Sequence, residues 1–428
     1  MLSIFTILCL SLCFFSNALS IHGSKTLVVF DDRLTQLDEF SYLFDSLKER
    51  SYELEYLSVA NDSGEIELYD GETPLYNNLM IFPIKGKVLN RKLTVDSLLN
   101  FYNNDGNIFV ITSPDGVAEP ARMFLNELGI YPSPKDHVVV DYFQEVPSSL
   151  VISTSGIESK DIFEDIVNDS IIIENSSAAL LDNRDQIIPF IAAPRTSFTE
   201  GKGKESWTTG SQGFLAAGFQ SLKNSRVAWI GSDEFLKNEN QNSNGKFIQG
   251  VVKWNFKEKN VIKITESVHS HADGTPYELL PYKIKDSVRY DVGISEWDGE
   301  KWVPFLATDL QFELKMIDPY YRLPLIPLNV DESTQYYSTG NFSLPDHHGV
   351  FTFQIDYKRP GFSFISTSDV KAVRHLAHDE YLRSWDITNS RVYLTTVFVL
   401  IFVWVLFVIF FISTTPVNKT MEIHKKTN

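Results

Sequence analysis

The stretch that most constrains this chain is near its carboxyl end. From Val392 to Ile412 the sequence reads VYLTTVFVLIFVWVLFVIFFI, without one charged residue. At about 1.5 Å of rise per residue, a helix of that length matches a hydrocarbon core about 30 Å thick. Arg391 closes it on one side and Pro416 with Lys419 on the other, and Tyr381, Trp385 and Tyr393 lie near the first boundary, where amphipathic rings favour the headgroup region. A second apolar run, Leu2 to Phe15, is shorter and is followed by Ser16-Asn17-Ala18-Leu19-Ser20. It reads as a secretory signal over residues 1–20, with cleavage suited to either Ala18 or Ser20. A signal and one stop-transfer helix predict a single-pass protein whose bulk lies outside the cytosol, and the basic tail agrees with that orientation.

The formal charge is −17, with nothing charged before Lys25. The tail after Ile412 contributes +3 − 1 = +2, which leaves −19 on the ectodomain. Such a surface disfavours nucleic acid as a partner. Cys9 and Cys13 both sit in the signal run, so the mature chain has no thiol for catalysis, disulfides or metal ligation. That points to large domains with cores of their own.

From Lys25 strand and helix patterns alternate. Thr26–Phe30, Tyr52–Val59, Asn78–Phe82, Asn107–Thr112 and Arg226–Ile230 read as strands, the apolar runs among them as buried ones. Helical spacing follows at Leu37–Leu47, Leu93–Tyr102, Ala118–Leu128 (ending at Gly129) and Lys246–Lys257. This order predicts a doubly wound, parallel α/β sheet over 21–260. Within it, Val138–Val140, Leu150–Ser153, Ser170–Glu174 and Ile187–Ala193 are shorter strands with weak helices between them, and Thr199–Gly213 is a mobile loop. Over 261–375 short alternating strands (Tyr282–Lys285, Tyr290–Glu296, Leu310–Met316, Val350–Tyr357, Phe362–Ser366) predict an antiparallel β-sandwich. A connector (376–391), the transmembrane helix (392–412) and a cytosolic tail (413–428) complete the chain.

Asp31-Asp32 follows the first strand, at the end where doubly wound sheets bind ligands; a helix N-cap or loop carboxylate would use the same residues. No GxGxxG or GxSxG accompanies a strand end, and Gly201-Lys202-Gly203-Lys204 lacks the spacing of a phosphate loop. His269-x-His271 and His347-His348 fall in expected turns and read as solvated, as do His375 and His378 in the connector; no metal set and no catalytic set emerges. Sequons at Asn61, Asn168, Asn175 and Asn341 are candidate glycan acceptors. The chain ends Lys425-Lys426-Thr427-Asn428, the spacing of a dilysine retrieval signal read by coat proteins.

Several long segments resemble one family. Leu27–Leu57, Val251–Ile264 (VVKWNFKEKNVIKI), Lys301–Phe305 (KWVPF), Met316–Arg322 (MIDPYYR) and Leu344–Gly361 (LPDHHGVFTFQIDYKRPG) are similar, in order, to the wheat germ agglutinin-binding protein (48-kilodalton) subunit family of oligosaccharyltransferase. The resemblance implies a noncatalytic, structural subunit of the endoplasmic reticulum complex that transfers a preassembled glycan from dolichyl diphosphate to Asn in N-x-S/T. It implies an amidotransferase-like first domain kept without its cysteine chemistry, and no cofactor. The implied partners are a multispanning catalytic subunit and small membrane subunits. Contact with the lipid-linked oligosaccharide, through the cleft near Asp31 and Asp32, is the alternative role.

Overall fold

The computed structural model describes residues 20–59, 66–71, 73–86, 89–163, 166, 170–201, 205–381 and 389–414. The signal run, Asn61, Asn168, Lys202–Lys204 and the Lys425–Lys426 pair lie outside them.

The first region is built on nine strands: β1 (Lys25–Phe30), β2 (Glu53–Ser58), β3 (Asn78–Ile81), β4 (Asn107–Ile111), β5 (Ile130–Pro132), β6 (Ala179–Leu181), β7 (Ile187–Ala192), β8 (Phe214–Gln220) and β9 (Arg226–Ile230). Their order is β2-β1-β3-β4-β9-β8-β6-β5, with β7 also on β8. The contacts from β2 through β9 are parallel and those beyond β9 antiparallel. Period-two alternation sends Val28, Phe30, Met80, Phe109 and Ile111 to one face, against Leu43, Phe44 and Leu47 of α1 (Ser41–Glu49). Leu27, Val29, Leu79, Ile81, Ile108 and Val110 face the other way, onto α2 (Val95–Asn103) and α3 (Glu119–Glu127). Thr94 and Ser97 form a capping box that starts α2, and Gly129, at φ +88°, ends α3 in the left-handed conformation its missing Cβ permits. On the first face, α4 (Gln241–Asn255) adds Phe247, Ile248, Val251 and Val252.

Between α3 and α4 the structure corrects the sequence expectation. Among the described residues no α-helix lies there, only short strands and 3-10 turns. The described part of Thr199–Gly213 is also more ordered than expected: Phe198–Gly201 pairs with His137–Val140, Thr199 N donates to Thr208 O, and Thr208 N donates to Thr199 Oγ1 (2.8 Å). The α4 helix starts five residues before the expected Lys246.

The second region carries β10 (Val261–His271), β11 (Ser287–Trp297), β12 (Trp302–Pro304), β13 (Gln311–Lys315), β14 (Pro319–Pro324), β15 (Ile326–Val330), β16 (Gln335–Ser338), β17 (Phe342–Ser343), β18 (Gly349–Tyr357) and β19 (Ile365–Val373). They make two antiparallel sheets, β10-β11-β16-β15 with β12 and β17 on β11, and β14-β13-β18-β19. Tyr290, Val292, Ile294 and Tyr337 of one sheet share a core with Phe312, Leu314, Phe351, Phe353 and Ile355 of the other. Tyr282–Lys285, expected as a strand, is a loop whose Tyr282 is fully buried. Phe362–Phe364 likewise precede β19 rather than begin it.

A buried seam joins the two regions. The Arg226 guanidinium, fully buried, donates to Gln220 Oε1 (3.1 Å), the carbonyls of Trp254 (2.7 Å), Lys259 (2.8 Å) and Asn260 (2.7 Å), and Ser363 Oγ (3.2 Å). Burial pushes its pKa down to about 9, still high enough to stay charged at neutral pH. Gln220 also donates to Phe362 O (2.7 Å), Trp254 Nε1 to Gly361 O (2.8 Å), and Asn224 exchanges two bonds with Phe364.

The remaining unit contains α5 (Ser390–Ser413), long and apolar enough to cross a membrane. Its Thr395 and Thr396 hydroxyls donate to the carbonyls of Arg391 and Val392 one turn back.

Candidate functional site

The crevice of a doubly wound sheet opens where strand order reverses, here between the carboxyl ends of β1 and β3. This chain fills it with its own side chains. Asp31, fully buried, accepts from Arg33 Nε (2.8 Å) and Nη2 (2.7 Å), from Arg33 N (3.1 Å) and from Lys85 N (3.1 Å), which ties the β1 loop to the β3 loop. Its carbonyl receives Leu34 N and Thr35 N, a tight turn after the strand. The Arg33 hydrogen bonds hold the carboxyl below its usual range against the opposing effect of burial, so Asp31 stays ionised. The sequence placed Asp31 and Asp32 together as candidate glycan contacts, but the structure gives them different surroundings. Asp31 organises the loop, whereas Asp32 is exposed and accepts from Ser58 Oγ (2.6 Å). Arg33 and Lys85 carried no signal of this role, because the bond to Lys85 crosses between loops far apart in sequence.

A concavity lies elsewhere. A groove of about 860 Å³ runs between α4 and the Trp297–Trp302 hairpin. Lys246, Gln249 and Lys253 line one wall, Trp297, Asp298 and Glu300 another, and Ile162 and Phe163 contribute apolar surface. Basic and acidic side chains thus face each other across a volume typical of small-ligand sites. Its lining comes from three distant segments, none of which carries a motif.

The histidines are a correction. His269 and His271 were expected in a solvated turn; both lie in β10 instead, and His271 is buried. The His269 ring stacks on Phe353 (centroids 4.9 Å apart), with Nδ1 2.8 Å from Tyr282 Oη and Nε2 2.7 Å from Asp369 Oδ2. His271 Nε2 sits 2.8 Å from Leu280 O. These bonds make His269 a clamp between the two sheets. His347 is exposed beside the Tyr320 ring, and His375 Nδ1 lies 2.8 Å from Leu376 O. Among the described residues no three His, Cys, Asp or Glu side chains converge on a metal position.

Two of the four sequons fall on described residues. Asn341 is exposed after Gly340, at the turn between β16 and β17. Asn175 is half-buried, with Nδ2 3.4 Å from Glu234 Oε1, and the Ser177 of its sequon is buried, donating to Gly231 O (2.9 Å).

Comparison with known proteins follows the two regions. Residues 17–258 match the model described as OST48, N-terminal domain, and residues 269–415 the OST48 middle domain. The chain is 51% identical, over 97% of its length and 98% of the relative, to the Saccharomyces cerevisiae dolichyl-diphosphooligosaccharide–protein glycosyltransferase subunit WBP1. It is 29% identical to the Schizosaccharomyces pombe subunit wbp1 (88% of this chain, 89% of that one) and 26% identical to the Danio rerio 48 kDa subunit (84% and 85%). The chain belongs to the OST48 family.

Proposed function

We propose that this protein is a noncatalytic, structural subunit of the endoplasmic reticulum oligosaccharyltransferase complex, which moves a preassembled glycan from dolichyl diphosphate to Asn in N-x-S/T. The observation that carries it is the 51% identity to the yeast subunit, continuous across both regions and the terminal helix. Three features support it. The strand-end crevice, where the fold class places its chemistry, is closed by Asp31, Arg33 and Lys85. The Arg226 seam bonds two large regions within one compact unit, as suits a scaffold. Beyond Arg391 in its first turn, the α5 helix carries no charge and is apolar around its circumference, suited to packing against neighbouring helices.

In this reading the first region is an amidotransferase-like domain over 21–260, supported by its five adjoining parallel strands with helices on both faces. The second, 261–375, is a β-sandwich. Both lie in the lumen, with the tail and its Lys425–Lys426 signal in the cytosol, where coat proteins read it. Of the two cleavage positions, Ala18 is supported by Ser20, which is buried and donates to Phe256 O (2.6 Å). The partners are the multispanning transferase and small membrane subunits. Purified through this subunit in mild detergent, the complex is expected to contain that transferase; recovery of the chain as a lone monomer would sink the proposal.

A second reading gives the chain a contact with the donor glycan. Asp32 supports it, being the member of the pair that reaches solvent. Asp32→Asn is expected to raise the apparent KM for the lipid-linked oligosaccharide, and an unchanged value removes this role.

A further inference from the structure

The two sheets of the second region have distinct ends. One end, with the 359–364 loop, meets the first region through the Arg226 seam. At the other, β19 finishes at Val373, paired with Gly349 at the start of β18. The β13–β14 turn lies at this same end, because the Met316 methyl rests against Gly349. So does the 272–286 loop, whose Tyr277 Oη donates to Ala372 O (3.3 Å) and whose Glu278 pairs with Lys371 (3.3 Å). Four segments remote in sequence therefore form a single tip from which the chain departs.

That tip is apolar where it is most exposed. Ile317 is 92% exposed and Leu279 78%, with Leu280, Met316 and Val350 beside them. Surface positions this open are normally polar, and a cluster of large apolar side chains marks a contact surface. Some of the tip's charge is paired: Lys285 with Asp346 (2.8 Å), and Lys371 with Glu278 and Asp369, while Asp273 and Asp318 are exposed.

The connector argues for the occupant. Residues 374–389 separate the tip from α5, and even fully extended they reach about 55 Å. They start folded back: Arg374 binds Glu380 through both Nη1 (2.6 Å) and Nη2 (2.8 Å), and Glu380 also receives Ala377 N (2.7 Å). The length of this connector bounds how far the tip can stand from the start of α5.

We infer that this tip, led by Ile317 and Leu279, is a membrane-contact surface that inserts apolar side chains into the headgroup region of the leaflet from which α5 emerges. The inference rests on α5 spanning the membrane, a part of the proposed function, and the test separates the two. Because the mature chain has no cysteine, single substitutions Ile317→Cys, Leu279→Cys and Leu306→Cys can each carry an environment-sensitive fluorophore. Leu306 is 75% exposed but belongs to the opposite end, next to Phe305, whose ring meets Phe362. The full chain, purified with whatever subunits accompany it, is placed in phosphatidylcholine nanodiscs with or without headgroup-nitroxide lipid. Emission at 317 and 279 should fall at least twofold with the nitroxide, with 306 unchanged. No quenching at 317 and 279, because solvent or a protein subunit covers the tip, overturns the inference, and so does equal quenching at all three positions. Alkaline extraction of membranes checks the helix separately. A chain that extracts overturns the spanning reading, whereas one that stays but shows no quenching overturns the tip alone.

Discussion

His22 shows how much a single residue near a chain terminus can report. It is half-buried close to Lys257, and burial first, then that lysine, push its pKa down to about 4, against a weaker pull upward from Asp105. The folded protein therefore keeps His22 neutral while the unfolded chain takes up a proton near 6.5. As pH falls from 6.5 to 4 the unfolded state binds more protons, so this residue withdraws stability through that window. His22→Gln should flatten the decline between pH 6.5 and 4 in denaturant titrations and leave stability at pH 8 nearly unchanged; an unaltered acid limb would contradict this placement. Nothing in the sequence around Ile21-His22-Gly23 announced it, since its neighbours Asn78, Asp105 and Lys257 are remote in sequence. Asp31 was legible as a special position because it follows a strand at the end where doubly wound sheets bind ligands. Its role was not, because the decisive partner is the backbone of Lys85 on a neighbouring loop.

Elements were legible in proportion to how fully their own sequence decides them. The parallel strands β1, β3, β4 and β9 are short apolar runs with both faces buried, a pattern that needs no knowledge of neighbours. The strand β8 (FLAAGFQ) went unrecognised because alanine and glycine give little strand signal; it is a strand through what covers it. A Cβ on Gly218 would sit 2.5 Å from Phe190 Cζ and 2.9 Å from the Trp254 ring. Gly218→Val should therefore cost about 1–3 kcal/mol by overpacking, measured by denaturant unfolding, despite valine's higher strand propensity. A stabilised variant would show that the edge-to-face pair of Phe190 and Trp254 has room to move. β14 and β15 were missed for another reason. Pro319, Pro324 and Pro327 argue against central strands, and both elements are edges of their sheets, where proline is tolerated.

For the whole molecule, the joint between the regions outweighs any single contact. The alternation of strand and helix followed by short strands foretold two kinds of architecture, but not that they would be fused through a buried cation. Arg226 read simply as the first residue of a strand. Its guanidinium is surrounded by neutral oxygens from β8, the end of α4, the crossing at Lys259–Asn260 and the 361–364 loop. Arg226→Met would remove the donor that these buried oxygens share and leave Lys259 O and Gln220 Oε1 the most exposed to the loss, at a cost of about 3 kcal/mol. Limited proteolysis should then release separate fragments of the two regions where the parent resists; equal resistance would mean that packing alone holds the seam. The joint also sets a clock. Ser363 leaves the ribosome 137 residues after Arg226, a lag of roughly ten seconds or more at ordinary rates of synthesis. Through that interval the first region holds a charged interior with its last acceptor still unmade. The final third of the chain thus decides when the earlier two-thirds can be finished, which gives a nascent subunit a built-in waiting period in which helpers can bind it before its partners do.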